Sequence, residues 1–223
     1  MHANATFFLS ASVPDPKRTA RFAETADTVA IASAVGALVH VLLGRRRMVW
    51  GGHPAITPMV YAIAEDMGVD YSQWVRLYQS SHFEDRYPED NARFKNVVYT
   101  PRGEDLNESL TLMRARMFEE NVFDAGVFIG GMEGVLDEYH LLCRLQPEAK
   151  SIPITSTGGA TLDIANELGD FSSDLGTDLD YVSLLHRHLG ISAAEARYNT
   201  PADQPEDLET RLLKFHRNRD DGS

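Results

Sequence analysis

The chain has 223 residues, 43% of them hydrophobic, and a formal net charge of -12, which suits one globular unit with a sizeable core. The acidic balance argues against a sequence-independent grip on nucleic acid, which draws its affinity from clustered Lys and Arg set against phosphates. No apolar run approaches the ~20 residues that cross a bilayer, and the opening MHANATFFLSASVPD does not read as an export signal, so a reducing cytoplasm is the expected compartment.

Along the chain, short apolar runs alternate with longer amphipathic ones. This is the pattern of an α/β fold, a Rossmann-like three-layer sandwich with a mostly parallel central sheet. TFFLSAS (Thr6 to Ser12) reads as a first strand ending in small residues. Asp27 can cap a helix from Val29 to Leu43 that is apolar nearly all the way round. Arg46 to Gly52 is a second strand, and Ile56 to Gly68 a helix stopped by glycine. WVRLYQSS and KNVVYT read as third and fourth strands, separated by the polar loop His82 to Phe94, a candidate lid that selects the ligand. Glu104 to Glu120 reads as a helix, AGVFIGG as a fifth strand, and Val135 to Leu145 as a helix before Pro147. The single cysteine, Cys143 in HLLCRL, is expected on the buried face of that helix and excludes an intrachain disulfide. SIPITSTGG (Ser151 to Gly159) is a sixth strand entering a helix from Ala160 to Leu168, and DYVSLLHRHLG a last one. The expected division is one nucleotide-binding domain over residues 1–195 and a charged, mobile C-terminal tail over residues 196–223.

In an open parallel sheet, ligands bind outside the carboxyl ends of the strands, where strand order reverses. Four clusters of small residues fall on that predicted edge: Ser10 to Ser12, Gly51 and Gly52, Gly130 to Gly134, and Ser156 to Gly159. Glycine lets backbone amides approach an anion, and a helix that starts just after adds its free amides and positive dipole end. The candidate ligand-binding residues are therefore Ser10, Ser12, Gly51, Gly52, His53, Gly130, Gly131, Glu133, Gly134, Thr157, Gly158 and Gly159. Neither a Gly-x-x-x-x-Gly-Lys-Ser/Thr run nor a Gly-x-Gly-x-x-Gly after the first strand occurs, which argues against a nucleoside triphosphatase. His140, His186 and His188 lack a partner carboxylate at metal-binding spacing, so no metal and no cofactor is expected.

GGHPAITPMV (Gly51 to Val60) and FIGGMEGVLDEY (Phe128 to Tyr139), with the basic helix MRARMF between them, resemble the SLOG superfamily over roughly Thr6 to Leu168. That group holds the LOG-type phosphoribohydrolases, the DprA proteins, and sensor or effector domains of bacterial conflict systems. LOG enzymes carry Pro-Gly-Gly-x-Gly-Thr-x-x-Glu with an arginine on the preceding helix, and cleave the N-glycosidic bond of a nucleoside 5'-monophosphate. On that resemblance Gly130, Gly131, Gly134 and Glu138 fill the pattern with one extra residue, and Arg114 takes the arginine's place. Ile129 stands for the proline, Met132 and Glu133 for one residue, and Val135 for the threonine. A carboxylate at Glu133 repels a phosphate unless it points away or is offset by Arg114, Arg116 or His53.

Breaking an N-glycosidic bond builds positive charge on the ribose, which a carboxylate beneath the sugar stabilises. Glu138 suits that catalytic role, with Arg114 holding a phosphate or orienting the carboxylate. Two function classes stay open: a sensor or effector domain binding a nucleotide or NAD-derived molecule in bacterial signalling or defence, and a LOG-like hydrolase. The apolar helix from Val29 to Leu43 asks for more cover than one sheet face gives, so a homodimer or higher homo-oligomer is expected. The sensor reading adds an effector protein as partner.

Overall fold

The computed structural model describes residues 3–212 apart from Val69 and Pro88. Six strands form one wholly parallel sheet: β1 (Thr6–Ser12), β2 (Arg47–Gly51), β3 (Val75–Ser80), β4 (Val97–Thr100), β5 (Ala125–Gly130) and β6 (Lys150–Ile154). The helices are α1 (Ala20–Ala23), α2 (Thr28–Leu42), α3 (Thr57–Asp66), α4 (Leu106–Glu119), α5 (Glu133–Leu145), α6 (Ala160–Leu168), α7 (Asp174–Thr177), α8 (Tyr181–Leu189) and α9 (Leu208–Arg211).

Period-two alternation divides the strand residues between two cores. Phe7, Leu9, Met48, Trp50, Val127 and Ile129 face α2, α3 and α8, whereas Phe8, Val49 and Phe128 face α4, α5 and α6. On the second face Phe8 packs edge-on against Phe118 and Phe128, at centroid distances of 5.2 and 6.3 Å. Strand order is β4-β3-β2-β1-β5-β6. The chain grows outward from β1 to β4, then crosses back to lay β5 on the other side of β1. The order therefore reverses between β1 and β5, and a crevice opens at their carboxyl ends.

Asp27 caps α2 by accepting the amides of Val29 and Ala30, each at 2.9 Å. This helix buries residues around most of its circumference, and α3 and α8 pack beside it. Its cover comes from within the chain, which removes the ground on which a second copy was expected.

Several boundaries differ from the sequence expectation. The helix expected from Val135 begins at Glu133, so Glu133 and Gly134 belong to its first turn. β6 ends at Ile154, and Thr155–Thr157 form a 3-10 turn. Cys143 is exposed, because the inward position in that turn of α5 is taken by Leu142. The polar loop is folded into two 3-10 segments, Ser81–Arg86 and Glu89–Arg93. Its far end is core: Phe94 is buried edge-on against Trp50 at 5.3 Å.

The stretch expected as a mobile tail is docked as far as residue 212, and residues 213–223 lie outside the described residues. Arg46 and Arg211 converge on Glu195, whose Oε1 accepts from Arg46 Nη1 and Arg211 Nε at 2.7 Å each. Arg46 Nη2 reaches Oε2 at 3.1 Å, and all three side chains are at most 1% exposed. Arg45 and Arg197 donate to the carbonyls of Val41 and Leu43, which satisfies the carboxyl end of α2. Trp74 Nε1 donates to the carbonyls of Tyr198 and Asn199.

Candidate functional site

Ser10 and Ser12 follow Phe8 at period two, so both point to the face that α4 and α5 cover. α5 lays Glu138 over them, and the Ser10 hydroxyl donates to Glu138 Oε2 at 2.6 Å. Arg114 comes from the buried side of α4 and meets α5 three times: Nε donates to Glu138 Oε1 at 3.3 Å, Nη1 to Asp137 Oδ2 at 3.2 Å, and Nη2 to the Gly134 carbonyl at 3.0 Å. The Arg114 and Glu138 side chains are only 10% and 13% exposed. A pair this shielded is stable only when its remaining polar atoms are also bonded; Ser10, Asp137 and the Gly134 carbonyl supply those bonds. The outcome is a carboxylate held in one orientation at the edge of a cleft.

That cleft encloses about 430 Å³, a size that suits a small organic ligand. Its floor is the carboxyl edge of the sheet, with Ala11 and Ser12 after β1, Gly51, Gly52 and His53 after β2, and Gln79 on β3. One wall is the first turns of α5 with Glu133, Gly134, Asp137 and Glu138; another is α4 with Leu106, Leu110, Met113 and Arg114. Phe83 and Arg86 of the first 3-10 segment and Tyr87 directly after it complete the rim, so the front half of the loop taken as a lid faces the cleft. Tyr87 is tied to that place by donating to the Ser80 carbonyl at 2.8 Å.

The predicted glycines separate into two groups. Gly51 and Gly134 give room for side chains of the site. A Cβ at Gly51 would stand 2.9 Å from Met113 Cε, and one at Gly134 3.1 Å from Arg114 Nη2. Gly130 and Gly131 instead turn their amides into the fold, to Thr157 Oγ1 at 2.8 Å and the Ser12 carbonyl at 2.9 Å. The Gly131 carbonyl accepts from Ala160, and the Gly159 amide donates to Thr25 Oγ1. Thr157, Gly158 and Gly159 therefore interlock the turns after β5 and β6 and lie away from the cleft walls. Ser10 also lies behind the wall and reaches the cleft only through Glu138.

His53 lines the cleft, and its Nδ1 accepts the Ala55 amide at 3.2 Å. Burial, reinforced by the nearby Arg18 charge, lowers its pKa from 6.5 to about 4. At neutral pH the ring is uncharged and, with Nδ1 accepting, carries its proton on Nε2. It can donate one hydrogen bond to a ligand and cannot offset Glu133 as a cation. Arg116 cannot either, because it lies outside the cleft, bonded to Glu120 and the Tyr99 carbonyl. His82 stays off the cleft wall, 3.5 Å from Ser109 Oγ.

Sequence reading missed Arg18 and Gln79, and reached Arg86 only through the loop from His82 to Phe94 that contains it. Gln79 is buried and lies over Gly52, where a Cβ would come within 2.1 Å of its amide nitrogen. A polar residue inside an apolar strand was the available signal for Gln79. Arg18, beyond the end of the first strand at Ser12, gave none.

A family model described as the SLOG cluster3 family matches residues 21–189. No curated protein and no solved structure matches the chain. The matched stretch contains His53, Arg114 and Glu138 and leaves out β1 with Ser10, and the docked segment after α8.

Proposed function

The chain belongs to the SLOG cluster3 family, and on that premise we propose that it binds a nucleotide or an NAD-derived small molecule in the cleft, as a sensor or effector domain in nucleotide signalling. The observation that carries this reading is the wall built by Ser10, Arg114 and Glu138 beside the point where strand order reverses. Both oxygens of Glu138 already accept bonds from the protein, so its remaining lone pairs form a fixed acceptor, the geometry that pairs with ribose hydroxyls. Leu106, Leu110, Met113 and Phe83 offer an apolar wall for a base, and His53 a neutral donor.

A second reading, hydrolysis of an N-glycosidic bond, is favoured by one feature. Glu138 is ion-paired with Arg114 and opens onto the cleft, as a carboxylate stabilising an oxocarbenium-like sugar must.

The test is incubation with nucleoside monophosphates, NAD and ADP-ribose, followed by mass spectrometry of the solution and of the protein-bound fraction, with Glu138→Gln alongside. Retention of an intact nucleotide by the wild type is the expected result. Release of free base by the wild type and not by the variant would replace the sensor reading with the hydrolase. Absence of any bound or cleaved nucleotide would defeat both.

A further inference from the structure

The cleft is electrically divided. Three arginines and three carboxylates line it: Arg18, Arg86 and Arg114 against Glu133, Asp137 and Glu138. Arg114 is fully engaged, with all three of its nitrogens bonded to α5. Arg18 and Arg86 are exposed and, among the described residues, neither side chain makes an ion pair or a hydrogen bond. All three carboxylates stand on α5, whereas the free guanidinium groups come from the segment after β1 and from the 3-10 segment after β3.

An anionic ligand group has two places to go, and the chemistry separates them. The glycine turn after β5 has both amides spent, Gly130 on Thr157 and Gly131 on Ser12. The first turn of α5 already carries Glu133, which complements the helix dipole and repels a second anion. On the segments after β1 and β3, two guanidinium groups that line the cleft have no ion-pair partner among the described residues, and guanidinium is the side chain best matched to paired phosphate oxygens. Arg18 also lies close enough to His53 to depress its titration, which places one of these charges beside the cleft floor.

We propose that Arg18 and Arg86 form a two-sided clamp for the phosphate or diphosphate of the ligand, so that the anion binds at the rim opposite α5 and away from the glycine turn. The sugar then lies toward Glu138, and a diphosphate is held better than a monophosphate because it offers oxygens to both arms. Dependence on Arg86 ties ligand affinity to the 3-10 segment that carries it. The assignment rests on the nucleotide reading above.

Isothermal titration of ADP-ribose, AMP and adenosine into the wild type, Arg18→Gln and Arg86→Gln tests it, with melting temperatures taken as a folding control. Both arginines are exposed and unpaired, so the variants fold with unchanged melting temperature. Each substitution is expected to weaken ADP-ribose roughly ten-fold or more and to leave adenosine unchanged. The order ADP-ribose, AMP, adenosine in falling affinity is expected for the wild type and collapses in the double variant. Wild-type affinity for ADP-ribose in both single variants overturns the clamp and leaves nucleotide binding standing. Failure of the wild type to bind any of the three removes the nucleotide reading and the clamp with it.

Discussion

Glu195→Gln tests what holds the segment after α8. The glutamate accepts three charge-assisted bonds, from Arg46 at 2.7 and 3.1 Å and from Arg211 at 2.7 Å, in a site where both guanidinium groups are 1% exposed. The glutamine keeps the shape and one acceptor oxygen but takes the negative charge from between two buried guanidinium groups. Removing one partner from such a network costs about 3–5 kcal/mol. At this chain length that corresponds to a melting temperature roughly 6–20 °C lower. Urea unfolding followed by tryptophan fluorescence is the assay, because Trp74 donates to the carbonyls of Tyr198 and Asn199 in the docked segment. A shift in Trp74 emission before the main transition would show the segment leaving first. Asp163→Asn is the contrast: its partner Arg21 is 64% exposed, and such a surface pair is worth less than about 1 kcal/mol. A loss below 1 kcal/mol for Glu195→Gln, with unaltered Trp74 emission, would refute the reasoning.

Gly158→Ala should be severely destabilising, by roughly 3 kcal/mol or more, because φ is +66° and the new Cβ would lie 1.9 Å from the Thr25 carbonyl oxygen. Gly68→Ala, at φ +63° with open space around it, should cost only about 1 kcal/mol, the strain of the left-handed backbone alone; equal losses in chemical unfolding would contradict the contact argument. His53 titrates near 4 in the fold against 6.5 in the free chain, so between those values the unfolded chain binds a proton that the folded one does not. Stability is therefore retained above about pH 6.5 and falls toward pH 4, by on the order of 3 kcal/mol from this residue. His53→Asn should flatten that part of the curve, although burial lowers His40 and His186 in the same direction and keeps some slope; identical slopes for variant and wild type would rule His53 out. Ser10→Ala removes the 2.6 Å bond to Glu138 and should cost about 1.5–3 kcal/mol in thermal or chemical unfolding. A change under about 0.5 kcal/mol would mean that the carboxylate is not held by that hydroxyl.

Legibility followed the range of the interaction. TFFLSAS and the helix from Ala160 to Leu168 match β1 and α6 residue for residue, because period and turn residues decide them locally. The start of α5 was misplaced by two residues, since Gly134 looks like a loop residue until Arg114 is seen to need the space beside it. Arg114 and Glu138 were legible as a pair by resemblance, but Ser10 as the third member was not, since nothing in TFFLSAS names a partner 128 residues away. The polar composition of residues 196–212 suggested a tail; its buried Arg211 is met by Glu195, which also holds Arg46 across 149 residues.

The sequence by itself determined the alternation of strand and helix, the parallel sheet it implies, and the strand edge on which small residues gather. Those features arise from side-chain periodicity and backbone preference within a few neighbouring residues. Only the tertiary structure decided which glycines open the cleft and which lock turns together, which cleft arginine is ion-paired and which two have no side-chain partner among the described residues, and that the segment after α8 is held. Each of these depends on desolvation and on partners brought from distant segments, and a charge has no assigned role until its neighbours in space are fixed.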